Sequence, residues 1–209
     1  MDNIFEISPM DYHAKLTCDR SNILSKDSWL SKSALWELAT SSLFKWRYYP
    51  REYSPTDAMQ WGSLVDALTT TPELVDEMVA VSPHNSYRTN EAKAWRDKYL
   101  AEGKILIKPD QFEEAKKAAK MLLETNEESA EIFAKSKTQG IIAGKLCGVQ
   151  VKGLVDLAPE GESFLADLKT TTDFSMEGFS KTVAKFGYHM QAGLYLALWN
   201  AMYPDDQRE

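Results

Sequence analysis

Two aspartates and one lysine near the carboxyl end of the chain have residue types and spacing suited to chemistry. Asp167 and Lys169 are separated by one residue, so both side chains project from the same face of an extended strand. Asp156 precedes a short polar turn that contains Pro159 and Gly161. Antiparallel pairing across that turn would bring the Asp156 carboxylate close to that of Asp167. The pattern predicts two converging carboxylates with an amine beside them.

Such a cluster suggests the chemistry of a divalent cation. Two close carboxylates repel each other unless they share a proton or a cation, and hard oxygen ligands suit Mg²⁺ or Mn²⁺. A bound ion of this kind polarises a phosphate, stabilises developing negative charge and lowers the pKa of a water molecule. Lys169 would then orient that water or neutralise charge. The predicted chemistry is phosphodiester hydrolysis, and the alternative is a solvated surface pair, because Asp-x-Lys on a hairpin is common.

The elements that must position these residues follow from hydrophobic spacing and from turn residues. Apolar residues recur at helical spacing from Ser31 onward, and proline or glycine marks several helix ends. We predict helices over residues 58–68, 90–103, 109–123, 127–135, 175–185 and 187–203. Aliphatic runs predict strands over residues 141–144, 146–157 and 164–169. The chain is interpreted as one domain with an N-terminal arm (1–30), a mainly helical part (31–135) and a hairpin with its following helix (136–203).

Composition limits the classes of protein that this sequence can belong to. The 209 residues are 44% hydrophobic and 26% charged, and no apolar run reaches the roughly 20 residues that span a bilayer. We expect no membrane span, and the absence of a secretory signal at the N-terminus predicts a cytoplasmic protein. Cys18 and Cys147 are the only cysteines, which excludes a four-cysteine zinc site or iron–sulfur cluster within one chain. The net charge of −7 requires any DNA contact to be local.

Three segments with familiar residues occur in order along the chain. They are Val151-Lys152-Gly153-Leu154-Val155-Asp156, Asp167-Leu168-Lys169-Thr170-Thr171, and Gly187-Tyr188-His189-Met190-Gln191 continuing to Tyr195. Together they resemble the PD-(D/E)XK nuclease superfamily and, more closely, its RecB/RecE branch of exodeoxyribonuclease VIII-like phage and prophage proteins. The resemblance covers roughly residues 31–199. It implies an α/β (α+β) restriction-endonuclease-like core, in which helices flank a small mixed β-sheet and the N-terminal half is largely helical.

The resemblance also implies roles for individual residues. Asp156 and Asp167 would be ligands of Mg²⁺ or Mn²⁺, the Leu168 carbonyl would add a backbone ligand, and Lys169 would serve the attacking water. Gln191 and Tyr195 stand four residues apart, so they share one helix face. The family pattern brings that face towards the site, to orient the lysine or to hold a phosphate. The alternative is a polar helix face with a half-buried tyrosine.

Further residues are candidates for contact with DNA. Thr170 and Thr171 would contact its backbone, although hydroxyls after a strand are as often turn-forming. Arg88 and Arg96 would contribute to a positive strip along one helix, for which the alternative is ordinary solvation. Aromatic residues between Trp36 and Tyr49 would stack on bases at a frayed DNA end or, as the alternative, pack in the core.

Two positions depart from the family pattern. Asp66 stands where the family usually has a histidine; it would either be a further metal ligand or an ordinary helix carboxylate. The segment 138–141, Thr-Gln-Gly-Ile, has no acid where a glutamate commonly precedes the hairpin. Relatives also continue beyond the Gln-x-x-x-Tyr helix, so the sequence is interpreted as either a fragment or a naturally short version.

These observations lead to one main hypothesis and two alternatives. The main hypothesis is an exonuclease that acts from duplex DNA ends in phage-type recombination or repair. By the resemblance, its partners would be linear duplex DNA and a single-strand annealing protein, and copies of the chain would form a ring. The alternatives are a catalytically impaired DNA-binding or assembly module on the same fold, motivated by the two departures, and a structure-specific endonuclease.

Overall fold

The computed structural model describes residues 9–50 and 54–209, so residues 1–8 of the predicted arm lie outside the described residues. The helices of the described part are α1 (Pro9–Lys15), α2 (Lys32–Thr40), α3 (Leu43–Tyr48), α4 (Asp57–Thr70), α5 (Val75–Met78), α6 (Asn90–Ala101), α7 (Pro109–Lys120), α8 (Glu127–Lys135), α9 (Met176–Phe186) and α10 (Tyr188–Met202). The strands are β1 (Leu30–Ser31), β2 (Val79–Val81), β3 (Ile105–Ile107), β4 (Ser136–Leu146) and β5 (Val149–Pro159).

The described part of the chain divides into two compact units. The first unit contains residues 9–50, 139–167 and 171–209. The second unit contains residues 54–138 and the short segment 168–170. The chain therefore passes from the first unit to the second after Asp167 and returns after Thr170.

A three-stranded mixed sheet forms the centre of the first unit. Its strand order is β1-β5-β4, and β1 runs parallel to β5 with Leu30 opposite Val151. β4 and β5 are joined by two residues, Cys147 and Gly148, which requires them to be antiparallel. Both linking residues have positive φ, 49° and 84°, as a type I′ hairpin turn demands. The predicted strand over residues 146–157 is therefore confirmed from Val149 onward as β5, whereas its start was wrong because the turn at Cys147 and Gly148 separates Leu146 from it.

The core of the first unit packs the helical segments against this sheet. Its buried side chains come from β1, α3, both long strands and α10: Leu30, Trp46, Ile142, Val151, Val155, Ala158, Leu198 and Trp199. A second cluster contains Tyr12 and Leu16 together with Ala143 of β4. The predicted N-terminal arm thus includes a short helix, α1.

The predicted strand over residues 164–169 was wrong in extent. Only Ala166 pairs, through an antiparallel bridge with Leu157 of β5. Both hydrogen bonds of that bridge are present. The Leu157 amide donates to the Ala166 carbonyl at 3.1 Å, and the Ala166 amide donates to the Leu157 carbonyl at 3.0 Å. The physical reason for the early end is that Leu168 to Thr170 belong to the second unit, so the strand does not continue along β5.

The second unit is mainly helical. Its core joins α4 to α7 and to the short parallel pair β2 and β3, where Val79 lies opposite Ile105. α4 begins at Asp57 because the Thr56 hydroxyl caps the amide of Met59. The predicted helices from residue 90 and from residue 127 are confirmed as α6 and α8, whereas the two-residue and three-residue strands β1 and β3 were not predicted.

Within the described ranges, no helix is long and apolar enough to cross a membrane.

Candidate active site

The register of the antiparallel bridge sets the relation between the two aspartates. Because Leu157 pairs with Ala166, the next position brings Asp156 opposite Asp167. Leu157 and Ala166 exchange both backbone hydrogen bonds, so the Asp156 position is of the non-hydrogen-bonded type, in which opposed side chains approach most closely. Asp156 is half-buried and Asp167 is exposed. The backbone therefore sets the two aspartates opposite each other, and the convergence of their carboxylates on a cation stays a prediction.

An amide from α10 fixes the orientation of one of these carboxylates. Gln191 Nε2 donates a hydrogen bond to Asp167 Oδ1 at 2.6 Å. A hydrogen bond to an ionised acceptor is stronger than one between neutral groups, and this one holds the carboxylate in one rotamer. Gln191 therefore lies at the predicted site and contacts the aspartate directly.

Tyr195 occupies the next turn of the same helix face. Burial raises the pKa of its hydroxyl, and the charge of Asp156 raises it further, while hydrogen bonds with the Leu154 backbone and with Gln191 lower it. Burial is the largest of these effects, so the phenol stays protonated at neutral pH. The structure thus joins Asp156, Asp167, Gln191 and Tyr195 in one connected group within the first unit.

Gly153 is a residue of this group that the sequence did not reveal as important. A Cβ atom at this position would lie 2.6 Å from Tyr195 Cε1 and 3.1 Å from Ile142 Cγ1. Only a glycine on β5 leaves room for the Tyr195 ring to cross the strand. A glycine inside a strand, here between Lys152 and Leu154, was the available signal, since such a residue often marks the close approach of another group.

Arg208 is a second residue that was missed, and it holds the turn between the two aspartates. Its side chain is buried, and Nη1 donates to the carbonyls of Pro159, at 2.9 Å, and of Glu162. Nη2 pairs with Asp206 at 2.9 Å. Asn200 of α10 exchanges two hydrogen bonds with the Arg208 backbone, at 2.9 and 2.7 Å. The C-terminal segment therefore fastens the turn to the first unit.

The strained backbone at Gln139 lies where the family's glutamate is absent. Gln139 is buried and has φ of 51°, a left-handed conformation that few residues other than glycine adopt. Conformations of this kind cost of order 1–3 kcal/mol and often occur at functional sites. The neighbouring Thr138, in the second unit, donates its hydroxyl to the Thr70 carbonyl at 2.9 Å.

The second unit contains the remaining predicted residues of the motif. Leu168 packs against its hydrophobic core, and the half-buried Lys169 donates from Nζ to the Leu168 carbonyl at 3.4 Å. That carbonyl is the predicted backbone ligand. Thr170 lies against α4, where a Cβ on Gly62 would be 2.8 Å from the Thr170 hydroxyl oxygen. The absence of a side chain at Gly62 therefore leaves room for this threonine.

Asp66 lies on α4 and is half-buried. Its backbone carbonyl accepts hydrogen bonds from the hydroxyls of Thr69, at 3.0 Å, and Thr70, at 2.8 Å. On the Asp66 side these bonds involve only the backbone carbonyl, so its carboxylate can still be either a metal ligand or an ordinary helix carboxylate.

The predicted DNA contacts differ in their surroundings. Arg96 is engaged by Asp97, with Nε at 2.9 Å and Nη2 at 2.7 Å from the same carboxylate oxygen, whereas Arg88 is exposed. The Thr171 hydroxyl donates to the Asp173 carbonyl at 3.0 Å and accepts from the Asp173 amide at 3.1 Å. Thr171 therefore has the turn-forming role that was the alternative.

The donor set of the first unit fits a hard divalent cation. Asp156 and Asp167 provide carboxylate oxygens at opposed positions, and such oxygens are the ligands that Mg²⁺ and Mn²⁺ prefer. In residues 9–50 and 54–209, no group of three or more histidine, cysteine, aspartate or glutamate side chains could hold an ion. A site here would thus rest on two carboxylates with backbone or water ligands, as Mg²⁺ sites commonly do.

Comparison of the sequence with known protein families identifies the superfamily of this chain. The sequence profile of the PDDEXK-like domain of unknown function, DUF3799, matches residues 38–206. The chain belongs to this family. The predicted PD-(D/E)XK superfamily and the predicted mixed α/β fold are therefore confirmed, whereas the RecE-like branch stays a prediction. No curated protein matches the sequence.

A solved structure agrees with this assignment of the fold. The chain is similar to a crystal structure from Eubacterium rectale that is described as a putative exonuclease, with a TM-score of 0.56 and 15% sequence identity. The similarity covers 97% of this chain and 70% of that one. At this identity the likeness establishes the fold alone. Together with the family, it supports a nuclease.

Proposed function

We propose that this protein is a metal-dependent deoxyribonuclease that hydrolyses phosphodiester bonds from the ends of linear duplex DNA. The observation that carries the proposal is the pairing of Leu157 with Ala166, which sets Asp156 opposite Asp167. The family assignment and the description of the Eubacterium rectale protein support it. By its resemblance, we place the protein in phage-type recombination or repair in the cytoplasm, with an annealing protein as partner and a ring as its assembly.

The proposed mechanism assigns one task to each residue. Asp156, Asp167 and the Leu168 carbonyl would hold Mg²⁺ or Mn²⁺, which when bound neutralises phosphate charge and lowers the pKa of a nearby water. Lys169 would orient the attacking water towards phosphorus. Attack forms the new phosphorus–oxygen bond while the water gives up a proton to the solvent; the bond to the sugar oxygen breaks, and that oxygen takes up a proton from the solvent.

Gln191 and Tyr195 would position the Asp167 carboxylate. The Gln191 amide holds Asp167 at 2.6 Å, so the carboxylate does not have to be reoriented when a cation and a phosphate arrive. Tyr195 stays protonated because of its burial and hydrogen-bonds with Gln191, which fixes the amide in turn. We therefore expect loss of the Gln191 amide to lower the turnover rate more than the affinity for DNA.

The test is cleavage of linear and covalently closed duplex DNA of the same sequence, with Mg²⁺, Mn²⁺ or EDTA. Degradation of linear DNA alone, abolished by EDTA, by Asp167→Asn and by Lys169→Met, is the expected result. Glu128→Gln, which changes an exposed carboxylate on α8, is the matched control and should leave the rate unchanged. Cleavage of the closed circle would instead identify a structure-specific endonuclease.

An impaired module is the second candidate, because the segment around Gly140 lacks the acid of the family pattern and Asp66 stands where that pattern has a histidine. This candidate predicts DNA binding that persists in EDTA without cleavage of either substrate. It also predicts that Lys169→Met changes neither the binding nor any other property of the protein. Restoring the family residue in Asp66→His would then be the variant most able to produce activity.

A further inference from the structure

A cluster of aromatic side chains is exposed on the first unit at α3. Phe44, Tyr48 and Tyr49 have exposed fractions of 63%, 59% and 64%. The Phe44 ring centroid lies 5.0 Å from that of Tyr48 and 5.9 Å from that of Tyr49, so the three rings form one surface. Soluble proteins rarely expose contiguous apolar surface unless something binds there. We call these three side chains the α3 aromatic surface.

A buried residue of the same helix fixes this surface to the core. Trp46 is fully buried in the first unit, and the Arg20 guanidinium lies 4.8 Å from its ring centroid. Arg20 Nη1 donates to the Trp46 carbonyl at 2.5 Å, and Nη2 pairs with Glu37 at 2.7 Å. The helix cannot rotate to bury its outer rings without removing Trp46 from the core. The rings are therefore presented in a fixed position, at little cost in conformational entropy on binding.

The charge beside the rings indicates the kind of ligand. Residues 42–50 contain Lys45 and Arg47 and no acid, although the chain carries a net charge of −7. The Arg47 guanidinium lies 5.4 Å from the Tyr48 ring centroid. Two carboxylates lie close to this helix. Glu37 is paired with Arg20, and the pKa of Asp19 is lowered by hydrogen bonds from Ser21 first and by the Arg47 charge to a lesser extent. Arg20, Lys45 and Arg47 outnumber these two acids, so the surface complements a polyanion.

We infer that the α3 aromatic surface binds unpaired DNA by stacking bases on its rings, with Lys45 and Arg47 on the phosphates. Exposed aromatic rings beside cations are the combination that binds single strands without sequence preference, whereas a duplex conceals its base faces. The choice of DNA as the polyanion rests on the proposed function; the surface itself shares no residue with the proposed active site. A strand separated at a DNA end would be the natural occupant.

The test measures binding in EDTA, where no cleavage occurs, so its result does not depend on nuclease activity. Anisotropy of a labelled oligothymidylate is compared for the parent, for the ring-deleted variant Phe44→Ala/Tyr48→Ala/Tyr49→Ala, and for the ring-keeping variant Phe44→Tyr/Tyr48→Phe/Tyr49→Phe. Stacking contributes about fivefold or more in affinity per ring. We expect at least about tenfold weaker binding for the ring-deleted variant and parent-like binding for the ring-keeping one.

Further measurements distinguish base stacking from binding through charge and from nonspecific hydrophobic binding. An abasic oligodeoxynucleotide should bind the parent and the ring-deleted variant equally, because it offers phosphates without bases. Lys45→Gln/Arg47→Gln should reduce the slope of log affinity against log salt by about 1.4. Leu24→Ala removes an equally exposed apolar side chain of the same unit and should leave affinity unchanged.

Two outcomes would overturn the inference. One is parent-like affinity of the ring-deleted variant for oligothymidylate. The other is a parent that self-associates in sedimentation and a ring-deleted variant that is monomeric with unchanged affinity, which would assign the surface to contact between copies of the chain. Failure of nuclease activity alone would leave the binding result standing, so the two proposals fail separately.

Discussion

Replacement of Gly153 by alanine tests how the Tyr195 ring is accommodated on β5. The new Cβ would lie 2.6 and 2.9 Å from two ring carbons of Tyr195 and 3.1 Å from Ile142 Cγ1. β5 is the central strand of its sheet, between β1 and β4, so the strand cannot move away. The ring must shift instead, by roughly 1 Å to reach an ordinary carbon–carbon separation of about 3.5–4 Å. We expect a loss of about 1–3 kcal/mol, the usual cost of overpacking.

Thermal and urea unfolding of Gly153→Ala measure this cost directly. A loss of about 2 kcal/mol lowers the melting temperature by about 4–8 °C in a chain of this size. Adding Tyr195→Ala removes the atoms that collide, so the double variant should lose less than the sum of the two single changes. Tyr195→Phe keeps the ring and should give no such relief. Strict additivity of Gly153→Ala with Tyr195→Ala would refute the reasoning, because it would show that the two residues are not in conflict.

Three further predictions concern the first unit. Arg208→Met should cost about 2–3 kcal/mol, because the buried Pro159 carbonyl and the Glu162 carbonyl lose a charged donor. Gln207→Ala is the control, and equal melting temperatures of the two variants would contradict this. Burial raises the pKa of Tyr195 in the folded protein above its usual value of 10.0. The protonated phenol therefore contributes its full share to the stability of the fold below pH 10, and this share is lost as the pH rises through the folded-state pKa. Urea unfolding between pH 9 and 12 should therefore show a shallower alkaline decline for Tyr195→Phe, and identical declines would count against it. Trp46→Ala should cost about 3–5 kcal/mol in the free energy of unfolding, since the ring is fully buried, and a cost under about 1 kcal/mol would show that α3 is not anchored by it.

The helices could be predicted because their physical signals are local. Asn90 to Ala101 begins after a capping threonine, Thr89, and Pro109 starts α7 at the position that proline favours. The two-residue turn at Cys147 and Gly148 was missed because a cysteine with positive φ is not a recognisable turn signal. β1 and β3 have two and three residues, too few for an alternating pattern to be visible.

Some features of the candidate site could likewise be predicted from local signals, and others could not. The opposition of Asp156 and Asp167 could be predicted, since it depends only on strand periodicity and a short turn. The contributions of Gly153 and Arg208 could not be predicted, because each depends on a contact with a residue more than forty positions away in the sequence. These residues are Tyr195 for Gly153 and Pro159 for Arg208. Among the predicted DNA contacts, the Thr171 hydroxyl bonds to the Asp173 backbone two residues later, and its contact with DNA stays a prediction. A hydroxyl after a strand has both possibilities, and only the fold selects one.

The most direct test of the central claim is the initial rate of nucleotide release from linear duplex DNA as Mg²⁺ is added back to EDTA-treated protein. The parent should release nucleotides only with Mg²⁺, and Asp156→Asn and Asp167→Asn should each lose at least about a hundredfold in rate while retaining the parent's melting temperature. A parent that releases nothing at any Mg²⁺ or Mn²⁺ concentration would contradict the account, as would aspartate variants that remain as active as the parent.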